Sequence, residues 1–207
     1  IVLTLKLKRM RKFLLLAAGL LLTVGLFSQA IVYTDNFESY TVGDYLATQS
    51  DSWTTWSNDP GSGEDALLTD EQALSGTKSV KVHGITDLVK QLGDKLTGKY
   101  SVEISFFIAA GYGGYFNLQK FESPGTEWGV QTYFISDGTG SIDAGAEGAG
   151  TFTYTPDSWV HTQTIVDLDN DWAECWVNGE LIIAWPWTLG TFGDPGALQL
   201  GGINIYA

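Results

Sequence analysis

The chain has 207 residues, a formal net charge of −13 and a sequence pI near 4.3. All 24 acidic residues follow residue 30, but only six of the 11 basic ones do (Lys78, Lys81, Lys90, Lys95, Lys99 and Lys120). So acidic a surface repels nucleic acid and anionic membranes, which excludes both as partners, and it favours solubility and cation binding.

The first thirty residues read as a secretory signal. Lys6, Lys8, Arg9, Arg11 and Lys12 surround Met10, an apolar run follows from Phe13 to Phe27, and Ser28-Gln29-Ala30 closes it. A basic cluster, about 15 apolar residues and a small-residue end fit an export signal cleaved after Ala30. A membrane-spanning helix needs about 20 apolar residues. Met10 begins a well-proportioned signal by itself. The expectation is a secreted or cell-surface protein with no membrane span after cleavage. Residues 31–207 then form one domain, long enough for a sizeable core.

Past residue 30 no apolar period of 3.6 lasts three turns. Alternation dominates, punctuated every 8–12 residues by Gly, Asn, Asp and Ser, the pattern of a sandwich or barrel. In chain order the predicted strands are 31–37, 79–83, 88–91, 100–109, 115–121, 128–135, 150–154, 159–168, 172–177, 181–185 and 202–206. A loop carrying Trp53 and Trp56 follows the first, and any helix is confined to a turn near Asp70–Leu74. The Gly-rich stretch 137–150 reads as a hairpin turn plus loop. It lacks the Lys-Ser/Thr ending of a phosphate loop.

Asn178-Gly179 is the clearest local signal, because Asn-Gly between two alternating runs favours a type I′ turn. A simple two-residue turn pairs Trp176 with Leu181, Cys175 with Ile182, Glu174 with Ile183 and Trp172 with Trp185. Ala173, Cys175, Val177, Ile182 and Ala184 then share an inward face. Trp172, Glu174, Trp176, Leu181, Ile183 and Trp185 share the other. Cys175, the sole cysteine, cannot form a disulfide within the chain and reads as a small buried apolar side chain.

Three segments resemble a known group. Thr34-Asp-Asn-Phe-Glu-Ser-Tyr40 is similar to the D-[DN]-F-E opening of secreted sandwich domains. Ala73-Leu-Ser-Gly-Thr-Lys-Ser-Val-Lys-Val82 is similar to their A-x-S-G-x-x-S-[LV]-x-[LV] approach. Trp159–Asp171 with Ala173–Trp185 resembles the Trp-started strand and V-[ND]-G-x-L hairpin of laminin-G-like, concanavalin A-like sandwiches. Residues 31–207 as a whole resemble a module of type IX-secreting bacteria. The resemblance implies an all-β, two-sheet antiparallel jelly roll, part of a larger extracellular protein. It implies no activity. The family's closing Y-[YF]-[IV]-D-[DN]-[IV] strand has no counterpart here, so the expectation is a domain lacking its closing strand. The resemblance also implies a structural Ca²⁺ held by an opening acid, for which Asp35 and Glu38 are the local candidates. The plain alternative is that both accept bonds from backbone amides in a turn.

No catalytic constellation emerges. Asp167, Asp169, Asp171 and Glu174 do not fit the E-x-D-x-x-E pattern of sandwich glucanases, and the three aspartates suit a solvated turn. As hard oxygen ligands they also raise calcium, without the glycine an EF-hand loop requires. His83 and His161 lack zinc-ligand spacing, and no serine lies in G-x-S-x-G. His161, Gln163 and Asp167 share one strand face. Aromatic rings stack on the C–H faces of sugars while carboxylates and amides bind hydroxyls. Trp172, Glu174, Trp176 and Trp185 are therefore the candidate ligand-binding residues, with Trp53, Trp56 and Trp128 as a rim. The plain alternative is that these rings fill the core. The sequence favours a non-catalytic module that binds glycan or another surface ligand. The alternatives are a polysaccharide-cleaving sandwich and a structural adhesion spacer.

Overall fold

A computed structural model describes residues 33–206, so the export signal expected over 1–30 lies outside the described residues. The chain divides into one unit ending at Asp35 and a second beginning at Asn36, and the fold described here is that of the second. Its strands are β1 (Trp53–Thr55), β2 (Leu67–Thr69), β3 (Ser79–Lys81), β4 (Asp87–Lys95), β5 (Lys99–Ile108), β6 (Gly114–Gln119) and β7 (Trp128–Phe134). They continue as β8 (Thr139–Asp143), β9 (Gly150–Thr153), β10 (Ser158–Asp167), β11 (Trp172–Val177), β12 (Glu180–Trp185) and β13 (Leu200–Tyr206). Among the described residues the helical content is one 3₁₀ turn, Trp187–Leu189, and no helix is long and apolar enough to cross a membrane.

Seven strands form one sheet in the order β1-β4-β13-β6-β7-β8-β9, and four form the other in the order β12-β11-β10-β5. Every pairing is antiparallel. This is a two-sheet jelly-roll sandwich, as expected. Between the sheets lies the main core, with Phe116, Leu118, Val130, Phe134, Ile142, Val160, Val166, Cys175, Trp185 and Trp187. A satellite core of Leu46, Ala47, Trp53, Ala66, Leu68 and Leu88 continues it beside the β2–β3 hairpin.

Several elements depart from the sequence-based expectation. No strand occurs at 33–37, and no helical turn forms at Asp70–Leu74. The Gly-rich stretch after Asp137 contains a strand, β8, because its Gly140 accommodates the Phe152 ring, 2.1 Å from where a Cβ would stand. The last strand is not peripheral: β13 runs in the sheet interior, hydrogen-bonded to β4 on one side and β6 on the other.

The β11–β12 hairpin carries the most consequential difference. Asn178 and Gly179 have φ of 49° and 82°, the double left-handed geometry of a type I′ turn. Trp176 pairs with Leu181 as predicted, but the register then shifts, so that Cys175 faces Ile183 and Ala173 faces Trp185. Ile182 is the extra residue of a β-bulge, and one extra residue moves everything beyond it to the opposite face. Trp185 therefore points inward.

Candidate functional site

The four-stranded sheet presents a flat outer face that holds three of the four predicted ligand residues. Trp172, Glu174 and Trp176 alternate along β11, beside Asp167, Ile165 and Gln163 of β10. Trp172 is 41% exposed, and the Trp176 indole N–H donates to Glu174 Oε2 at 3.0 Å. Gln163 Nε2 donates to Ser101 Oγ (2.9 Å) and Glu103 Oε1 (3.2 Å), and His161 Nε2 lies 3.7 Å from Glu103 Oε2. Trp185 does not join them. It is buried at 3% exposure and packs against Trp187, ring centroids 6.2 Å apart.

The outer face of the seven-stranded sheet is chemically different. Across it, strand pairing aligns Asp87, Val89 and Gln91 of β4 with Tyr206, Asn204 and Gly202 of β13. Next in line stand Tyr115, Asn117 and Gln119 of β6, then Tyr133 and Gln131 of β7, then Ser141 and Asp143 of β8. A hydrogen-bonded belt crosses four adjacent strands. Asn204 Nδ2 donates to Asp87 Oδ1 (2.5 Å), and Asn117 Nδ2 donates to Asn204 Oδ1 (2.9 Å) and to Tyr115 Oη (3.0 Å). Tyr115 Oη donates to Gln131 Oε1 at 2.6 Å, and Tyr133 Oη reaches the same oxygen at 3.1 Å. Such a network fixes each side chain in one orientation.

This face is also largely covered. Asn117, Gln119 and Asn204 are each 1% exposed although they point away from the core, and Tyr115 is 8% exposed. Cover comes partly from the loop after β6. Gly125 N donates to Gln119 Oε1 (3.0 Å), and a Cβ on Gly125 would stand 3.0 Å from the Trp56 ring. Trp56 continues the β1 register, its N–H donating to the Asp87 carbonyl (2.9 Å), and Trp128 pairs with Gln119. Two of the three predicted rim residues, Trp56 and Trp128, thus belong to this face, whereas Trp53 lies in the satellite core. Beside them a groove of about 490 Å³ is lined by Thr54, Asn58, Gln91, Asp94, Glu122 and Pro124. Two buried amide groups of this sheet face, Asn117 Oδ1 and Gln119 Nε2, have no hydrogen-bond partner in the protein.

Electrostatics follow the burial. Burial pushes the Tyr115 phenol well above its ordinary range and the Tyr133 phenol up to about 12, with Asp143 adding to the latter. Both remain neutral hydrogen-bonding groups at all physiological pH values. Burial also raises Asp87, against the lowering effect of the Asn204 bond, and nearby Glu64 adds to the rise. Cys175 is buried, its thiol pushed up to about 12 by desolvation, which fits its reading as a packing residue.

Both calcium candidates already accept hydrogen bonds within the protein. Glu38 accepts bonds from Thr77 N (2.8 Å), Lys78 N (2.8 Å) and Thr77 Oγ1 (3.0 Å), the turn arrangement named above as the alternative. The Lys78 ammonium donates to the Glu38 carbonyl (2.9 Å) and the Tyr40 carbonyl (2.6 Å), filling with its own charge the carbonyl cluster a hard cation would seek. Asp35 accepts from Tyr33 Oη at 2.7 Å. Among the described residues no cluster of three or more His, Cys, Asp or Glu could hold a metal ion. Asp171 bonds Thr188 N (2.8 Å) and Oγ1 (2.7 Å), and Asp167 bonds Asn170.

No protein-family model and no curated protein matches the sequence. Solved structures are similar at low identity. A family GH16 protein described as a non-specific endo-β-1,3(4)-glucanase shares 15% identity over 85% of this chain and 80% of its own, with a TM-score of 0.47. The carbohydrate-binding module CBM66 from Bacillus subtilis shares 13% over 75% of this chain and 88% of its own, with a TM-score of 0.41. A sialidase shares 11% over 78% of this chain, with a TM-score of 0.45, and this chain spans only 14% of its length.

Proposed function

We propose that this domain is a non-catalytic, secreted glycan-binding module whose binding surface is the outer face of the seven-stranded sheet. The observation that carries the reading is chemical. Tyrosines and amides of β13, β6 and β7 join in one belt on the outward face, with Tyr115, Asn117 and Asn204 buried although they are not core, Gln131 and Tyr133 half-buried, and Tyr206 exposed. Stacking of a pyranose on a tyrosine, with side-chain amides hydrogen-bonding its hydroxyls, uses groups of this kind.

The carboxylates at the two ends of the belt favour binding over cleavage, and Glu64, whose carbonyl accepts from Asp87 N (2.8 Å), has its carboxylate engaged by Ser57 N and Oγ. Asp87 and Asp143 flank the belt, but four strand spacings separate β4 from β8, roughly 19 Å. Glu174 and Glu103 on the other sheet lie two strands and two residues apart, roughly 12 Å. Glycosidase carboxylates stand about 5–9.5 Å apart. The exposed Trp172–Glu174–Trp176 face supports a second reading, a glycan surface on the four-stranded sheet, and Trp172's exposure is what favours it. The wider reading, a module of a larger extracellular protein in type IX-secreting bacteria, rests on the sequence motifs.

A glycan array read with the intact domain, Tyr206→Ala and a Trp172→Ala/Trp176→Ala variant separates these readings. We expect binding that Tyr206→Ala weakens at least tenfold and that the tryptophan variant leaves within twofold. The converse pattern would move the site to the four-stranded sheet. Absence of binding by the folded parent would leave a structural spacer.

A further inference from the structure

We infer that the outer face of the seven-stranded sheet selects neutral sugars and rejects uronic and sialic acids, an inference that rests on the glycan-binding reading above. Its chemistry is one-sided in charge. Asp87 closes one end of the hydrogen-bonded belt, and Asp143 stands at the other, paired across strands with Gln131. Glu147 lies near enough to Tyr133 to raise its phenol, and Glu64 acts on Asp87 in the same sense. The outward residues between the two aspartates are uncharged: tyrosines, amides and a glycine, with Val89, Ser141 and Trp128 beside them.

Among the described residues no cation is bonded to the belt between Asp87 and Asp143. Carboxylates are best recognised by the guanidinium fork, and no arginine occurs in residues 33–206. Lys78 is bound to the Glu38 and Tyr40 carbonyls, Lys81 to Glu71, Lys99 to Asp167 and Lys120 to Glu127. Lys90 donates to the Ser52 carbonyl and lies over the Trp53 ring, on the core side. Lys95, paired with Leu200, has its ammonium beside Gly93, two residues beyond Gln91 and six from Asp87, roughly 20 Å along β4 from that aspartate.

The unpartnered amide groups are the second, independent pointer to a ligand. Asn117 Oδ1 is an acceptor and Gln119 Nε2 a donor, two residues apart on the same face of β6 and both nearly fully buried. Leaving such groups unmet is costly, and together they complement a hydroxyl, which both donates and accepts. A carboxylate matches only the donor, and it would meet a face already flanked by like charge. Discrimination here works by repulsion as well as attraction.

Paired ligands that differ only in charge test this: galacto-oligosaccharides against oligogalacturonates, and lactose against sialyllactose, titrated into the intact protein at low and high salt. We expect each acidic member to bind at least tenfold more weakly at low salt. The gap should narrow several-fold in 1 M NaCl or in Asp87→Asn/Asp143→Asn, where the acceptor oxygens remain. Acidic members binding as well as their neutral counterparts, or better, would overturn the charge selectivity while leaving glycan binding intact. A folded protein that binds no sugar of either kind, on these pairs or the array, would overturn both.

Discussion

Tyr115 and Tyr206 stand side by side on the outward face of the seven-stranded sheet, directly paired across β6 and β13 with ring centroids 4.4 Å apart. Tyr133 flanks Tyr115 on the other side at 5.0 Å. Of the pair, Tyr206 is 40% exposed and Tyr115 is buried. The two therefore divide the work: Tyr115 anchors the belt through Gln131 and Asn117, and Tyr206 offers the accessible ring. Tyr206→Ala should weaken ligand binding without unfolding the domain. Tyr115→Phe, which removes the hydroxyl that joins Asn117 to Gln131, should cost about 1–3 kcal/mol of stability. Denaturant titration beside binding isotherms checks the separation.

Trp185 and Trp172 offer a second contrast. Trp185→Ala leaves a cavity in the main core and should lower unfolding free energy by about 3–5 kcal/mol. Trp172→Ala removes an exposed ring and should cost no more than about 1 kcal/mol. Had the hairpin followed the unbulged register, both rings would share the outer face and the two costs would be alike.

The pH dependence of stability has a definite sign. Glu38 and Glu64 are held below the usual carboxylate range by hydrogen bonds, led by the Thr77 and Ser57 backbone amides, and Asp137 and Asp167 by those from Thr139 and Asn170. Stability from such groups is present above their unfolded pKa values and is lost as pH falls through the folded ones. Asp87 runs the other way: its folded pKa is raised, so its ionisation costs stability as pH rises past its unfolded value. Asp87→Asn should therefore raise the denaturation midpoint at pH 7 and change it little at pH 3. A midpoint lower at pH 7 than the parent's would mean that Asp87 contributes structure through its charge.

Metal removal should do nothing to the thermal midpoint, because the Lys78 ammonium supplies the positive charge at the Glu38–Tyr40 carbonyls. Lys78→Met, which keeps the stem and deletes two charged bonds, should cost about 1–3 kcal/mol. Scanning calorimetry with and without EDTA distinguishes this from a calcium-dependent entry loop.

Much of the architecture was legible because alternation survives wherever one face meets the core: β11 and β10 were read within a residue or so of their ends. The Asn178-Gly179 turn was legible from its chemistry. The bulge at Ile182 was not, since nothing in Leu181-Ile182-Ile183-Ala184 marks which residue is extra, and that one residue decides whether Trp185 is core or surface. The tyrosine–amide face was hidden for another reason. Its parts are written in the chain as Tyr115-x-Asn117-x-Gln119, Gln131-x-Tyr133 and Asn204-x-Tyr206. They become one surface only once β13, more than eighty residues after β6, is known to pair with it. β8 was missed because its glycine serves a neighbouring ring rather than a turn.

The most direct test of the central claim is amide chemical-shift mapping of the labelled domain titrated with whichever neutral oligosaccharide the array identifies. The account predicts that perturbations concentrate at Tyr115, Asn117, Gln131, Tyr133, Asn204 and Tyr206. Shifts confined to Trp172, Glu174 and Trp176, with the tyrosine face silent, would contradict it.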